Sequence, residues 1–250
     1  MLYSVVVSAS NRETEPVARD LAEKIQLPFS ALSDEQIQLV VTPKRTEIRS
    51  SELGNPIFID FEEGKNAHRR QFGGGRGQPL AKAVGLKKGA TPTIIDATAG
   101  FGRDAFVLAN LGCTITLIER QPLISTLLKD ALDRANQNPD IKNVISRMTL
   151  IQEDTIAYLS SINEESCPDV IYMDPMYPSR DKTALVKKDM RLLHQLAGPD
   201  IDSEQLLSIA RKRAKKRVVV KRPKSADFVG GEKPSTFIES KNTRYDVYVT

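Results

Sequence analysis

Two turns, each directly after a short apolar run, constrain the fold of this 250-residue chain most strongly. The first turn reads DATAGFGRD and covers residues 96–104, and the second reads DPMYP and covers residues 174–178. Short β-branched and apolar runs before such turns are typical of buried parallel strands. Both turns are therefore expected at the carboxyl edge of one α/β sheet, where open sheets of this kind bind ligands.

The first turn has the features of a site for a nucleoside cofactor. Gly100 and Gly102 follow a predicted strand at residues 93–95, and glycine can adopt backbone angles that bring the chain close to a ligand. Glu119 ends the next predicted strand, residues 113–118. A carboxylate at that position can bind two ribose hydroxyls.

The identity of this cofactor remains open between two classes. Residues 100–105 also match the dinucleotide pattern G-x-G-x-x-G/A, which allows an NAD-dependent oxidoreductase. Asp96 at the start of the turn and Asp104 at the start of the next helix favour S-adenosylmethionine. A carboxylate there repels a pyrophosphate but suits the cationic methionine end of that cofactor. A tight turn with no ligand is the structural alternative.

The second turn suits an amino group on a nucleobase. Pro175 and Pro178 fix φ and hold the Asp174 carboxylate and the nearby carbonyls as hydrogen-bond acceptors. Tyr177 offers a ring on which the base can stack. The turn resembles the Asp/Asn-Pro-Pro-Tyr/Phe motif of amino methyltransferases, with Met176 in place of the second proline. An Asp-Pro turn with a purely structural role is the alternative.

Five sequence blocks, in one order along the chain, carry a wider resemblance over residues 60–250. The blocks are HRRQFGGGRG at 68–77, DATAGFGRDAF at 96–106, DPMYP at 174–178, ALVKKDMR at 184–191 and VVVKRP at 218–223. Together they resemble the RsmJ family of bacterial 16S ribosomal RNA guanine-N2 methyltransferases. The resemblance implies an α/β fold, namely a Rossmann-like class I methyltransferase sheet with an antiparallel terminal strand.

The same resemblance implies the activity and most of the site. The expected reaction is methyl transfer from S-adenosylmethionine to the exocyclic N2 of a guanosine in 16S rRNA, by direct displacement. The expected catalytic residues are Asp174, Pro175 and Tyr177. The expected cofactor-binding residues are Asp96, Gly100, Gly102, Arg103, Asp104, Glu119, Arg120, Asp154, Thr155 and Asp174. Asp154 and Thr155 also follow the apolar run 148–151, so they could meet the adenine amino group.

Basic residues cluster along the chain although the net charge is only +4. Residues 211–224 contain nine lysines and arginines and no acid, and residues 65–95 contain seven and no acid. Such clusters neutralise RNA phosphates and release counterions, so 16S rRNA or the small ribosomal subunit is the expected partner. A solvated basic helix face over 203–216 is the alternative. The expected RNA-binding residues are Arg69, Arg70, Arg76, Lys187, Lys188, Lys221 and Arg222.

The pattern of segments predicts a small N-terminal α/β domain at residues 1–61, with strands at 3–7, 36–41 and 56–61. A Gly-rich basic connector at 62–78 and a methyltransferase domain at 79–250 follow.

Composition narrows the function classes. No apolar run approaches the roughly 20 residues that span a membrane, and residues 1–5 lack a basic signal-peptide region, so a cytoplasmic protein is expected. Two cysteines and two histidines make a metal site unexpected. Besides the dinucleotide oxidoreductase, a non-catalytic RNA-binding or ribosome-assembly protein is an alternative, because it would need the basic clusters but no cofactor site.

Overall fold

The computed structural model describes residues 5–31, 37–51, 54–63, 75–87, 89–176 and 201–250. The strands in this part of the chain are β1 (Val5–Ala9), β2 (Ile37–Val41), β3 (Thr46–Arg49), β4 (Thr93–Asp96), β5 (Thr114–Ile118), β6 (Met148–Ile151), β7 (Val170–Met173), β8 (Arg217–Pro223), β9 (Thr236–Glu239) and β10 (Thr243–Val249). The α-helices are α1 (Glu15–Lys24), α2 (Pro79–Ala83), α3 (Arg103–Asn110), α4 (Pro122–Ala135), α5 (Lys142–Ile145), α6 (Thr155–Ser161) and α7 (Ser203–Arg213).

Seven strands form the main sheet in the order β6-β5-β4-β7-β8-β10-β9. The first five of these strands pair in parallel, whereas β10 is antiparallel to both β8 and β9. The central strands are apolar along nearly their whole length because helices cover both faces of the sheet. The predicted fold class, a class I methyltransferase sheet with an antiparallel terminal strand and a smaller N-terminal sheet, is confirmed.

The register of β4, β7 and β8 decides which side chains share a face. Asp96 lies beside Tyr172, and Tyr172 lies beside Val219. Because side chains alternate between the two faces of a strand, continuing this pattern predicts Asp174 and Lys221 on the face that carries Asp96 and Tyr172. The carboxyl end of the sheet therefore collects ionisable groups on the side covered by α3 and α4.

The N-terminal sheet consists of β1 paired in parallel with β2, and β2 paired antiparallel with β3. Its apolar side chains join the same hydrophobic core as α3 and α4. The Phe61 ring stacks on the Phe106 ring with centroids 4.9 Å apart. The Thr46 N–H donates to Asp130 Oδ1 at 3.0 Å, and Arg134 donates to the Ile59 carbonyl at 2.6 Å.

One predicted strand of this N-terminal sheet is wrong, and one observed strand was not predicted. The run 56–61 is not a strand, since Ile57 makes only an isolated bridge with Ile48. Strand β3 was not predicted because its sequence, Thr-Glu-Ile-Arg, is mostly polar. Glu47 is nevertheless buried, and the neighbouring Arg45 and Arg49 pair with its carboxylate at 2.9 and 2.7 Å.

Removing the Phe61 ring should test how strongly the two sheets depend on each other. Phe61→Ala leaves a cavity against Phe106, so we expect the free energy of unfolding to fall by about 3–5 kcal/mol in urea denaturation. Phe237→Ala, at a ring that is 52% exposed, should change it by less than about 0.5 kcal/mol. Equal effects of the two substitutions would show that the Phe61 contact contributes little.

Candidate active site

The turn between β4 and α3 contains two glycines with different roles. Both have positive φ, 52° at Gly100 and 66° at Gly102, a region that strongly favours glycine. A Cβ atom on Gly102 would lie 2.9 Å from Leu128 Cδ1, so this glycine is needed for packing against the core. A Cβ atom on Gly100 would meet only the Thr98 carbonyl oxygen, at 3.9 Å. The open space beside Gly100 fits the expected close approach of a ligand. The predicted contact at Gly102 stays a prediction.

The Glu119 carboxylate is held in a fixed orientation at the end of β5. Its Oε2 atom accepts a hydrogen bond from the Gly100 N–H, and its Oε1 atom accepts one from the Gln121 N–H, both at 2.8 Å. These bonds join the cofactor turn to the adjacent strand end. Because an ionised carboxylate offers about four acceptor positions, it can still accept bonds from two adjacent hydroxyls.

Asp96 ends β4 and is buried, with 3% of its surface exposed. Burial raises its pKa to about 8, and the nearby Asp104 and Asp174 carboxylates act in the same direction. The Thr98 N–H, which donates to Asp96 Oδ1 at 3.2 Å, and the charge of Lys221 oppose this rise. The Asp96 side chain is thus mainly a neutral carboxylic acid at pH 7.

Four side chains meet beside Asp96 at the carboxyl end of the sheet. Lys221 Nζ lies 2.8 Å from Asp104 Oδ2 and 2.7 Å from Asp174 Oδ2. The Tyr172 hydroxyl donates to the same Asp104 oxygen at 2.7 Å. Burial opposes the charge on Lys221, but Asp174 and Asp104 outweigh this effect and raise its pKa. We call Asp104, Tyr172, Asp174 and Lys221 the charge cluster.

Sequence reasoning did not include Tyr172 or Thr98 in the site. Tyr172 is fully buried, and burial raises the pKa of its hydroxyl, which stays a neutral hydrogen-bond donor. The Thr98 hydroxyl oxygen accepts a hydrogen bond from the Asp174 N–H at 2.6 Å, so the first turn holds the second. One signal was available for Tyr172, namely a polar atom within the otherwise apolar strand Val-Ile-Tyr-Met.

Asp154 and Thr155 lie at the end of β6, as expected, but both have structural partners. Asp154 Oδ1 caps α6 by accepting a hydrogen bond from the Ala157 N–H at 3.0 Å. The buried Thr155 hydroxyl donates to the Ala97 carbonyl at 2.7 Å, which ties α6 to the cofactor turn. Their predicted contact with adenine stays a prediction.

The two arginines predicted at the cofactor lie at the edges of this site. Arg120 Nη1 is 2.6 Å from Asp202 Oδ2, next to the start of α7, and 3.8 Å from Asp154 Oδ2. The Arg103 guanidinium lies over the Phe101 ring, 5.2 Å from its centroid. Their contact with the cofactor likewise stays a prediction.

Comparison with known proteins assigns the chain to a family. The model of a family described as "Putative SAM-dependent methyltransferase" matches residues 20–250. The ribosomal RNA small subunit methyltransferase J of Aeromonas salmonicida is 55% identical over 86% of this chain and 86% of that protein. The protein of the same name from Tolumonas auensis is 47% identical over 99% of both chains. This chain belongs to the ribosomal RNA small subunit methyltransferase J family.

A solved structure agrees with this membership. The crystal structure of a SAM-dependent methyltransferase from Neisseria gonorrhoeae superposes with a TM-score of 0.78 at 35% identity and covers 98% of this chain and 95% of that one. The family resemblance carried by the five sequence blocks is confirmed. Membership in a SAM-dependent methyltransferase family also decides against the dinucleotide oxidoreductase and the non-catalytic RNA-binding protein.

Three of the basic residues that are expected at RNA have hydrogen-bond or ion-pair partners within the chain. Lys221 is part of the charge cluster, between two carboxylates. Arg222 is 5% exposed and donates to the Asp227 carbonyl at 2.8 Å. Arg76 donates to three main-chain carbonyls, those of Lys87, Ala90 and Leu111, at 2.7, 3.2 and 3.2 Å. Each side chain thus has partners within the chain, although Arg76 is exposed, and the predicted contacts with RNA stay predictions.

The positive charge of the basic run 211–224 is partly neutralised by acidic residues from outside the run. Lys216 pairs with Asp169 at 2.9 Å, Lys224 pairs with Glu239 at 2.7 Å, and Arg211 pairs with Glu232. These acids come from distant parts of the sequence.

Five further predicted residues, Tyr177, Arg69, Arg70, Lys187 and Lys188, lie outside the described residues. In the part of the chain that the structure describes, no cluster of His, Cys, Asp and Glu side chains is suited to a metal. Within those same residues, no helix combines the length and the apolar character that a membrane crossing requires.

The buried acid should make stability depend on pH. Since the pKa of Asp96 is about 8 in the folded protein and 3.8 ordinarily, the fold retains a proton that the unfolded chain releases, and stability falls as pH rises from about 4 to 8. Asp96→Asn removes this pH-dependent contribution to the free energy of unfolding. The difference in the free energy of unfolding between the variant and the parent protein should therefore grow in favour of the variant by more than about 1 kcal/mol from pH 5 to pH 8.

Urea denaturation at the two pH values measures this difference, and Asp133→Asn on the exposed surface of α4 is the control that should show no trend. The pH-dependent role of Asp96 is wrong if the Asp96→Asn variant and the parent change in parallel.

Proposed function

We propose that this protein transfers a methyl group from S-adenosylmethionine to the exocyclic N2 of a guanosine in small-subunit ribosomal RNA, 16S rRNA, in the bacterial cytoplasm. Relatives that align over nearly the whole chain bear the name ribosomal RNA small subunit methyltransferase J. The guanine-N2 specificity comes from the resemblance of the sequence blocks to that family. The observation that carries the reaction is the Asp174 carboxylate, which the cofactor turn and Lys221 hold at the carboxyl edge of the sheet.

The residues present fit a cationic nucleoside cofactor. The oriented Glu119 carboxylate can accept hydrogen bonds from ribose hydroxyls, and the backbone beside it leaves space at Gly100. Asp104 and Asp174 place two carboxylates about one ammonium group, a net charge of −1. Such a site attracts a ligand of net positive charge and repels a pyrophosphate.

When bound, S-adenosylmethionine would supply the methyl group: guanine N2 would form a bond to the methyl carbon while the carbon–sulfur bond breaks, and its electron pair would stay on the sulfur of the departing S-adenosylhomocysteine. The protein does not need a covalent intermediate. It has to hold the amino group in line and stabilise the charge that develops on nitrogen.

Asp174 and the carbonyl of Pro175 can accept the two hydrogens of the guanine amino group. These bonds favour a more pyramidal nitrogen, whose lone pair is less delocalised into the ring and therefore more nucleophilic. After transfer the nitrogen carries an extra proton, and the Asp174 carboxylate can accept it. Pro175 is buried and fixes the backbone between this carboxylate and Met176.

The first test is the reaction itself. Purified protein incubated with labelled S-adenosylmethionine and either small ribosomal subunits or naked 16S rRNA, taken from cells that lack this chain, should label one guanosine at N2. Digestion to nucleosides and mass spectrometry identify the product. Label on adenosine N6, or on no nucleoside, would contradict the proposal.

Asp174→Ala should lower the turnover number for methyl transfer by about a hundredfold or more, because the acceptor for the amino hydrogens is lost. Asp133→Ala, at an exposed position on α4, should keep the parental rate and serves as the control. A fully active Asp174→Ala variant would remove this carboxylate from the reaction.

Glu119→Ala should weaken cofactor binding at least tenfold, since each hydrogen bond to a charged group contributes roughly 1.5–3 kcal/mol. Calorimetric titration with S-adenosylhomocysteine measures the loss, and Glu23→Ala on the exposed side of α1 is the control. Unchanged affinity in a folded Glu119→Ala variant would place the ribose elsewhere.

A further inference from the structure

Lys221 connects two loops that have different predicted tasks. Asp104 lies in the first turn of α3, next to the cofactor turn, and Asp174 begins the Asp-Pro turn that is predicted to receive the base. The ammonium group is 2.8 Å from the first carboxylate and 2.7 Å from the second. The Lys221 side chain is 27% exposed and that of Asp104 is 12% exposed, so this contact is largely shielded from solvent, whereas Asp174 is 41% exposed and faces the open side of the site.

The sheet register fixes this position. Met173 pairs with Val220 in the parallel β7–β8 ladder, so the next residue of each strand, Asp174 and Lys221, lies side by side. Tyr172, two residues before Asp174, donates its hydroxyl to the same Asp104 oxygen that Lys221 contacts. The ion pair therefore rests on main-chain pairing and not on a flexible surface loop.

The surroundings of Lys221 are acidic or neutral on every packed element. Asp96 comes from β4, Asp104 from α3, Tyr172 and Asp174 from β7 and the residue after it, and Tyr245 pairs with Lys221 across the β8–β10 ladder. Without the ammonium group, the two carboxylates of the cluster would face each other. Like charges at that distance favour protonation of one of them.

We propose that Lys221 is a positioning residue for methyl transfer: it holds the Asp174 carboxylate ionised and in a fixed position relative to the cofactor turn. This inference rests on the proposed function. Asp174 and not Lys221 meets the amino group of the base, and Lys221 acts through it. The cluster needs its cation in place, because Asp174 is useful as an acceptor only while it is ionised.

A phosphate-binding role for Lys221 predicts different behaviour. The Asp104–Lys221–Asp174 group carries a net charge of −1, which repels a phosphate and attracts a cationic cofactor. Loss of a phosphate contact would weaken RNA binding and reduce the slope of log affinity against log salt concentration by about 0.7–0.9. Loss of a positioning residue would leave both quantities unchanged.

The experiment compares Lys221→Met, which keeps the length of the side chain but removes its charge, with Lys221→Arg, which keeps the charge. Lys129→Met, which breaks the exposed Lys129–Asp133 pair on α4, is the control for loss of one ion-paired lysine. Methyl transfer to small subunits or 16S rRNA is measured from pH 6 to pH 9, together with RNA affinity, its salt dependence and the affinity for S-adenosylhomocysteine.

We expect Lys221→Met to lower the turnover number at pH 7 by about a hundredfold, with KM for RNA and the salt slope unchanged. Its rate should recover as pH rises, because higher pH restores the ionised Asp174 carboxylate. Lys221→Arg should restore most of the rate and the parental pH profile. Cofactor affinity should be retained in Lys221→Met at pH 7, since the proton taken up by one carboxylate replaces the charge of the ammonium group.

Three results would overturn the inference. One is a Lys221→Met variant with the parental turnover number and a higher KM for RNA, which would indicate a phosphate contact. Another is a parallel loss of turnover, cofactor affinity and thermal stability that Lys221→Arg does not restore, which would indicate a purely structural pair. If the parent protein itself methylates no RNA, the proposed function fails and the positioning role fails with it, whereas an active parent isolates the fate of Lys221.

Discussion

Burial of charge at the carboxyl end of the sheet is the constraint on which the rest of this site depends. An isolated ion inside a protein is costly, so a fold that keeps carboxylates there has to neutralise them or pair them. Asp96 is neutral at pH 7 because its pKa is about 8, whereas Asp104 and Asp174 share the ammonium of Lys221. The same sheet end thus contains an acid that keeps its proton and two carboxylates stabilised by a cation.

The different charge states of Asp96, Asp104 and Asp174 give these three residues different functions, although all three are aspartates that follow or end a strand or begin a helix. A neutral Asp96 beside β7 adds no negative charge at pH 7, so the acidic character of the site is set by Asp104 and Asp174 together with Glu119. Hydrogen bonds between the turns then fix the relative positions of these groups. Thr98 contacts the main chain of Asp174, and Glu119 contacts the main chain of Gly100, so neither turn can move alone without losing a bond.

The sequence allowed most of the main sheet to be predicted, because its strands are continuous apolar runs between clear turn signals. The apolar run 148–151 coincides with β6, and the predicted strand 93–95 is β4 without its last residue. Strand β3 could not be found because its buried Glu47 is compensated by ion pairs with the partly exposed Arg45 and Arg49, which local hydrophobicity does not report.

The sequence allowed many residues of the candidate site to be predicted, but not the side-chain contacts between them. Residues at strand ends, such as Glu119 and Asp174, follow from the general behaviour of open α/β sheets. The partners of Lys221 and Arg76 do not, because a basic run along the chain gives no information on which distant acids or carbonyls fold against it. Both residues were therefore expected at RNA, whereas in the structure Lys221 pairs with two carboxylates and the exposed Arg76 donates to main-chain carbonyls.

The stacking of Phe61 on Phe106 has a consequence for synthesis of the chain. The apolar face of the N-terminal sheet is completed by α3 and α4, which end at Asn110 and Ala135. Translation at about 5–20 residues per second leaves roughly 4–15 seconds between the appearance of residue 61 and that of residue 135. During that interval the first sheet has α1 beside it but lacks α3 and α4, so the part of its core that contains Phe61 cannot be completed before the centre of the chain has emerged from the ribosome.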